Sequence, residues 1–324
     1  MKLWQNSPSY SLGRIFTDAC TRSLYGRFQV FGKENIPADG AVIFSANHTN
    51  TLMDALVMLR LHKGPIAFGA RADLFQKSPR VARALHWLKI VPLARARDGA
   101  EALKQSQEVI DEIVDCLGHK VPFCLFPEGT HRPKRSLLPL KKGIFRIASQ
   151  AAQKLEIPVY VVPVGIEHES YYKAGRNIRV SYGEPIRITP DASPADFLAQ
   201  LTHRMKGLIT WFPDDENYPS AVAAWEKSRH KSQLWRYLLL PVWGVSALMS
   251  LPVWLSSELL VARLKDKAWS NTVRYVCRLL LLPLLILAAG ICAFVWLPWY
   301  WALLTVLCTL LSPMLFYRLL PDRL

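Results

Sequence analysis

Between Leu12 and Phe28 apolar side chains recur every fourth residue, at Leu12, Phe16, Cys20, Leu24 and Phe28, with Ile15 and Ala19 beside them and Arg14, Arg22 and Arg27 among the polar positions. This spacing predicts an amphipathic helix. Such a helix either packs on a core or lies in a bilayer interface, and the apolar tail described below favours the second role. Further along, short apolar runs alternate with helical patterns. Strands are expected at 41–46, 65–69, 89–94, 122–126, 158–164 and 177–182. Helices are expected at 98–117, stopped by Gly118, and at about 143–155. That order builds an α/β domain, a sheet covered by helices.

From about residue 234 the pattern becomes apolar almost throughout. Residues 234–255 are long enough to cross a bilayer but carry Pro241, Gly244 and Pro252. Residues 277–320 form a second, longer apolar stretch with Trp296-Leu297-Pro298-Trp299-Tyr300-Trp301 at its centre, the composition of an aromatic belt at a turn. Two spans joined there make a hairpin, with Arg274 and Arg278 at one end and Arg318 and Arg323 at the other. The positive-inside rule then places both ends in the cytosol and makes 234–255 re-entrant or interfacial. Three full crossings are the alternative. The division expected is 1–29, an interfacial helix; 30–226, the α/β domain; and 227–324, a membrane-embedded region that opens on a basic linker at 227–231.

Composition changes this picture in three ways. The 324 residues carry a net charge of +15, which suits an anionic bilayer, a phosphorylated substrate or nucleic acid, and the apolar tail makes nucleic acid the weakest choice. The six cysteines show no CxxC pair or metal-ligand spacing and read as reduced packing residues. The first residues contain no uninterrupted apolar core of the kind a secretory signal needs, so the α/β domain is expected on the cytosolic face.

Candidate chemistry centres on Asn47-His48 followed by Asp54, and on Phe126-Pro127-Glu128-Gly129-Thr130. A carboxylate beside an imidazole fixes its tautomer and raises its basicity, as abstraction of a proton from an alcohol requires. Thr51-Leu52-Met53-Asp54 also fits a capping box, with Thr51 as N-cap and Asp54 at the third helical position, a role that needs no catalysis. Lys89-Ile90-Val91-Pro92-Leu93-Ala94-Arg95 and the strand Val161-Val162-Pro163-Val164 complete four blocks in order.

Together these blocks resemble the signature of the glycerolipid acyltransferase superfamily, which includes the lysophosphatidate and glycerol-3-phosphate acyltransferases. Two departures stand out: five residues separate His48 from Asp54 where four are usual, and His131-Arg132 replaces the usual Arg-Ser after Thr130. The resemblance implies a mixed sheet flanked by helices and transfer of a fatty acyl group from acyl-CoA or acyl carrier protein to a hydroxyl. It implies His48 as general base and Asp54 as its orienting partner, with oxyanion donors at the helix start after Thr51. Acceptor contacts would come from Arg95, which suits a phosphate, with Arg97, Arg71, Glu128, Gly129 and Thr130; Glu128 would accept from acceptor hydroxyls or fix an arginine. Lys141 and Lys142 are candidates for anionic groups. No bound cofactor or metal is implied. Lysophosphatidate is the favoured acceptor, giving phosphatidate; glycerol 3-phosphate and other lysophospholipids follow. A non-catalytic, membrane-anchored lipid-binding protein is the competing reading, and a metal-dependent hydrolase a weaker one.

Overall fold

The computed structural model describes residues 2–94, 100–189, 191–229 and 235–319. In chain order the elements are α1 (Pro8–Ser23), β1 (Phe28–Phe31), β2 (Ala41–Ala46), α2 (Leu52–Leu61), β3 (Ala67–Arg71), α3 (Pro79–Trp87), β4 (Ile90–Leu93), α4 (Ala100–Gly118) and β5 (Phe123–Leu125). They continue as α5 (Gly143–Lys154), β6 (Val159–His168), β7 (Ile178–Tyr182), β8 (Ile186–Ile188), α6 (Pro194–Leu208), α7 (Tyr218–Arg229), α8 (Trp235–Leu238), α9 (Leu240–Ala262), α10 (Ser270–Trp296) and α11 (Trp299–Leu319). The strands form one mixed sheet of order β1-β7-β6-β2-β5-β3-β4, with β8 also on β6. β2 lies inside it, parallel to β5 and β6, while β6 pairs antiparallel with β7 and β8.

The unbroken apolar run of β2 follows from burial on both faces. Ala41 and Ile43 enter a core cluster with Ile113 and Leu117 of α4, Ile144 and Ile147 of α5, and Leu201 and Met205 of α6. Val42, Phe44 and Ala46 point the other way, into a cluster with Met53 and Val57 of α2, Cys20 of α1, Tyr275 of α10 and Phe316 of α11. The second face is therefore closed partly by the apolar tail.

α1 begins where Ser7 caps the first turn and Pro8 supplies a preset φ, and it ends at Ser23. Phe28, the last member of the four-residue pattern, belongs to β1. Both roles foreseen for this helix have a physical basis: Cys20 and the following Leu24 are buried in the core, whereas Leu12 and Ile15 are 71% and 68% exposed on an apolar outer strip. β6 runs to His168, beyond its expected end at 164, because Val164–His168 pairs antiparallel with β7.

In the tail, α9, α10 and α11 are each long and apolar enough to cross a membrane. α9 is one unbroken helix rather than an interrupted segment. Pro241 sits in its first turn, where no intrahelical N–H is required, and the helix continues through Pro252. Ser246, Ser250, Val253, Ser257 and Val261 form its buried stripe. The start of α10 is tied to its surroundings: Arg274 forks onto Glu258 of α9 at 2.7 and 2.8 Å and reaches the Tyr172 carbonyl at 2.5 Å, and Asn271 donates to the Tyr171 carbonyl at 2.9 Å.

The segment before α1 is also part of the core. Leu3 is buried in the first cluster, and the wholly buried Lys89 donates its Nζ to the Leu3 and Gln5 carbonyls at 2.5 Å each, 4.8 Å from the Tyr10 ring centre. Lys89→Met keeps the stem and removes the donor, leaving two carbonyls unpaired. A loss of about 2 kcal/mol is expected, measured as a lower midpoint of thermal unfolding; an unchanged midpoint would show that this lysine does not anchor the segment.

Candidate active site

The site begins where β2 ends. The Asn47 side chain continues the sheet pairing, donating to the Ile166 carbonyl at 3.0 Å and accepting the Ile166 amide at 2.6 Å. This fixes the direction in which the chain leaves the strand and delivers His48 to the sheet end. The following loop folds around a single carboxylate. Asp54, at the third position of α2 and fully buried, accepts the amides of Thr49 and Asn50 on Oδ2 at 2.8 Å each, and His48 Nδ1 on the same oxygen at 2.9 Å.

This arrangement differs from a capping box. Thr51 is the N-cap residue, but its side chain does not cap α2, and Asp54 reaches back to the two amides before Thr51 rather than to that of Thr51 itself. Within the loop between His48 and Asp54, Thr51 has φ of +46°, the one positive value. Its hydroxyl bonds instead to that of Thr272 on α10, at 2.6 Å.

Asp54 Oδ1 faces the opposite way and accepts His168 Nε2 at 2.7 Å. Burial by itself raises the Asp54 carboxyl, but the hydrogen bonds from His168 and His48 outweigh it and hold the group well below the usual carboxylate range. His168 was not among the sequence candidates. A lone histidine at the end of an apolar strand gives no signal of its partner, and only the continuation of the strand through Gly165-Ile166-Glu167 hints at where it lies.

With Nδ1 committed to Asp54, the His48 ring stacks on Phe126, centroids 4.3 Å apart, and its side chain is 19% exposed. Nε2 makes no hydrogen bond among the described residues. The His131 ring lies edge-on to His48 at 5.7 Å, and Trp269, in the turn between α9 and α10, lies edge-on to His131 at 5.7 Å. Burial lowers the His131 pKa, and a nearby His48 charge lowers it further. The opening beside His48 is thus bordered by a residue of the apolar tail.

The loop that follows β5 holds the His48 backbone from both sides. Glu128, buried at the end of the β5 loop, accepts the His48 amide on Oε1 at 2.8 Å and the Leu138 amide on Oε2 at 2.9 Å, while the Arg132 amide donates to the His48 carbonyl at 3.1 Å. Burial raises the Glu128 pKa; the two amide bonds pull against it. The geometry of this carboxylate is that of a clasp between loops. Gly129 has φ +72°, and a Cβ there would meet nothing closer than Lys141 Cγ at 3.5 Å, so backbone conformation rather than space calls for glycine. Gly129, Thr130, Lys141 and Lys142 are exposed.

Arg71 ends β3 on the surface, its guanidinium paired with Asp73 at 2.5 Å. Arg95 and Arg97 lie outside the described residues. Of the amides after Thr51 expected as oxyanion donors, that of Met53 is engaged by the Asn50 carbonyl, while those of Thr49 and Asn50, before Thr51, are engaged by Asp54.

Residues 27–167 match the protein-family model described as Acyltransferase. The human 1-acyl-sn-glycerol-3-phosphate acyltransferase alpha is 29% identical over 182 residues, 53% of this chain and 60% of that protein. The 1-acyl-sn-glycerol-3-phosphate acyltransferase of Bacillus subtilis (strain 168) is 26% identical over 164 residues, 51% of this chain and 76% of that protein. The match thus spans less than two thirds of the human relative's length, and half that of its bovine counterpart of the same description. The crystal structure of the 1-acyl-sn-glycerophosphate (LPA) acyltransferase PlsC from Thermotoga maritima superposes with a TM-score of 0.47 at 25% identity, over 61% of this chain and 78% of that one. Residues 27–167, which bring His48, Asp54, Glu128 and Gly129 to one end of the sheet, are the part of the chain that is similar to an acyltransferase domain.

Proposed function

We propose that the protein transfers a fatty acyl group from a thioester, acyl-CoA or acyl carrier protein, to the free hydroxyl of lysophosphatidate, forming phosphatidate at a membrane surface. One observation carries this reading: the 2.9 Å bond from His48 Nδ1 to a buried, ionised Asp54 leaves Nε2 as the unpaired ring nitrogen at an opening. The names of the human and Bacillus relatives support the choice of acceptor.

In this scheme the acceptor hydroxyl donates to His48 Nε2. As its oxygen attacks the thioester carbonyl, the proton passes to Nε2, and Asp54 balances the imidazolium that results. Collapse of the tetrahedral adduct breaks the carbon–sulfur bond, and the imidazolium returns the proton to the departing thiolate. The ester forms with no covalent acyl-enzyme. Glu128 and the Arg132 amide hold the His48 backbone while this happens. Arg95 is assigned to the acceptor phosphate, for which a planar guanidinium fork is suited, with Arg97 and Arg71 as further cations and Gly129 and Thr130 as neutral neighbours of the acceptor. The exposed strip of α1 and the apolar helices α9 to α11 would hold this end of the sheet against the bilayer, on the cytosolic face.

Purified protein in lipid, given palmitoyl or oleoyl thioesters and a panel of lysophosphatidate, glycerol 3-phosphate and phosphate-free lysolipids, is expected to yield phosphatidate by mass; no acylated product from any acceptor would overturn the reading. His48→Ala should lower the rate by about 10³ or more. Arg95→Ala should raise KM roughly tenfold for phosphate-bearing acceptors alone, and an equal effect on phosphate-free acceptors would refute a headgroup role. Glu128→Gln turns one acceptor into an N–H facing a backbone N–H, so kcat should fall roughly 10- to 100-fold, while a wild-type kcat would show that the clasp is dispensable.

A further inference from the structure

His168 has no step in the scheme above, yet it is wholly buried and bonds at 2.7 Å to the Asp54 oxygen that His48 does not use. Its other nitrogen, Nδ1, lies 3.3 Å from the Tyr25 hydroxyl and 3.3 Å from the Asn50 amide nitrogen. Burial pushes the Tyr25 hydroxyl well above its ordinary range, with the Asp54 charge adding to the effect, so Tyr25 keeps its proton. Two donors aimed at Nδ1 make it an acceptor, which leaves the ring proton on Nε2 and the imidazole neutral. The remaining neighbours fix the ring in place. Tyr171 lies 6.1 Å away, and Arg135 donates to the His168 carbonyl at 2.7 Å while its guanidinium sits 3.5 Å over Trp225 of α7. The adjacent Glu167 accepts the Thr210 amide at 2.8 Å and pairs with Arg179 at 3.6 Å, so neither group competes for the ring.

The geometry points to a further positioning residue: we propose that His168, as a neutral imidazole, anchors Asp54 Oδ1 so that Oδ2 is presented to His48, and so governs how readily the His48–Asp54 pair takes up a proton. This rests on the acyl-transfer reading for its kinetic meaning, but its physical content does not. The two imidazoles hold different oxygens of one anion, and the Tyr25–His168–Asp54–His48 chain crosses from the end of α1 through β6 and α2 to the opening. If the Nε2–H donor is lost, a buried oxygen is left without a partner. A proton arriving on either member of the pair then relieves the uncompensated charge, so the pair protonates at higher pH.

The test compares His168→Gln, whose amide N–H can reach the same oxygen, with the shorter His168→Asn, whose amide cannot. The readout is independent of turnover: the rate of His48 carbethoxylation by diethyl pyrocarbonate, followed by peptide mass spectrometry across pH. The midpoint should rise by about one pH unit in His168→Asn and stay at the wild-type value in His168→Gln. In the acyl-transfer assay the acid limb of kcat/KM should move with it, with kcat down roughly tenfold and KM for the thioester unchanged. Should His168→Asn fail to fold, Tyr25→Phe weakens the Nε2–H donor without removing it and should shift the midpoint the same way by less. A midpoint unmoved in whichever of these two variants folds, or moved equally in His168→Gln, would overturn the proposal. A shifted midpoint in a protein that acylates nothing would instead overturn the functional reading and leave the role of His168 standing.

Discussion

The burial of the Asp54 carboxylate is the constraint from which the rest of the site follows. Taking an ion out of water costs several kcal/mol unless hydrogen-bond donors replace the lost hydration. Here four donors do so, from the amides of Thr49 and Asn50 and the rings of His48 and His168. The loop after β2 must curl to turn its amides inward, the His48 ring must present Nδ1, and β6 must run on to His168. The geometry of the site is thus the solvation shell of an anion, built from protein.

A second buried carboxylate complements the first. Glu128 accepts two amides from separate segments, and the Arg132 amide returns a bond to the His48 carbonyl, so the loops after β2 and β5 are laced together above parallel, adjacent strands. Two acidic residues close together therefore do different work. Asp54, surrounded by hydrogen-bonding histidines, is held ionised; Glu128, served by amides alone, has its pKa raised by burial.

Much of this was legible because it is local. His48 and Asp54 sit on one short loop, Phe126–Thr130 on another, and the apolar runs of β2, β5 and β6 announce a buried sheet. What was not legible depends on long-range contact. His168 lies 114 residues from Asp54, and its chemistry exists only in the pairing. Lys89 stands in the sequence only as the first residue of an expected strand, and its burial beneath the first residues of the chain is a matter of tertiary contact. The four-residue pattern ran past Ser23 to Phe28 although the helix stops, since at Gly26 the chain passes so close to Gly175 that a Cβ would fall 2.7 Å from its carbonyl oxygen. α3 and α6 are helices whose starts are marked in the sequence by Ser78-Pro79 and Ser193-Pro194, each serine capping the first turn and each proline presetting φ. Pro252 carries the usual penalty for proline inside a helix, yet α9 runs on through it, packed against α10 and α11.

The hydroxyl pair between Thr51 and Thr272 gives the apolar tail a part beyond anchorage. Thr51 holds a backbone conformation that costs on the order of 1–3 kcal/mol in a residue other than glycine, and its side chain is fastened to α10 rather than to its own helix. The curl of the loop around Asp54 is therefore conditional on α10 being seated. Exchanging the tail for an unrelated apolar segment would let the loop relax, and the tail is thus a buttress of the loop that holds His48 and Asp54.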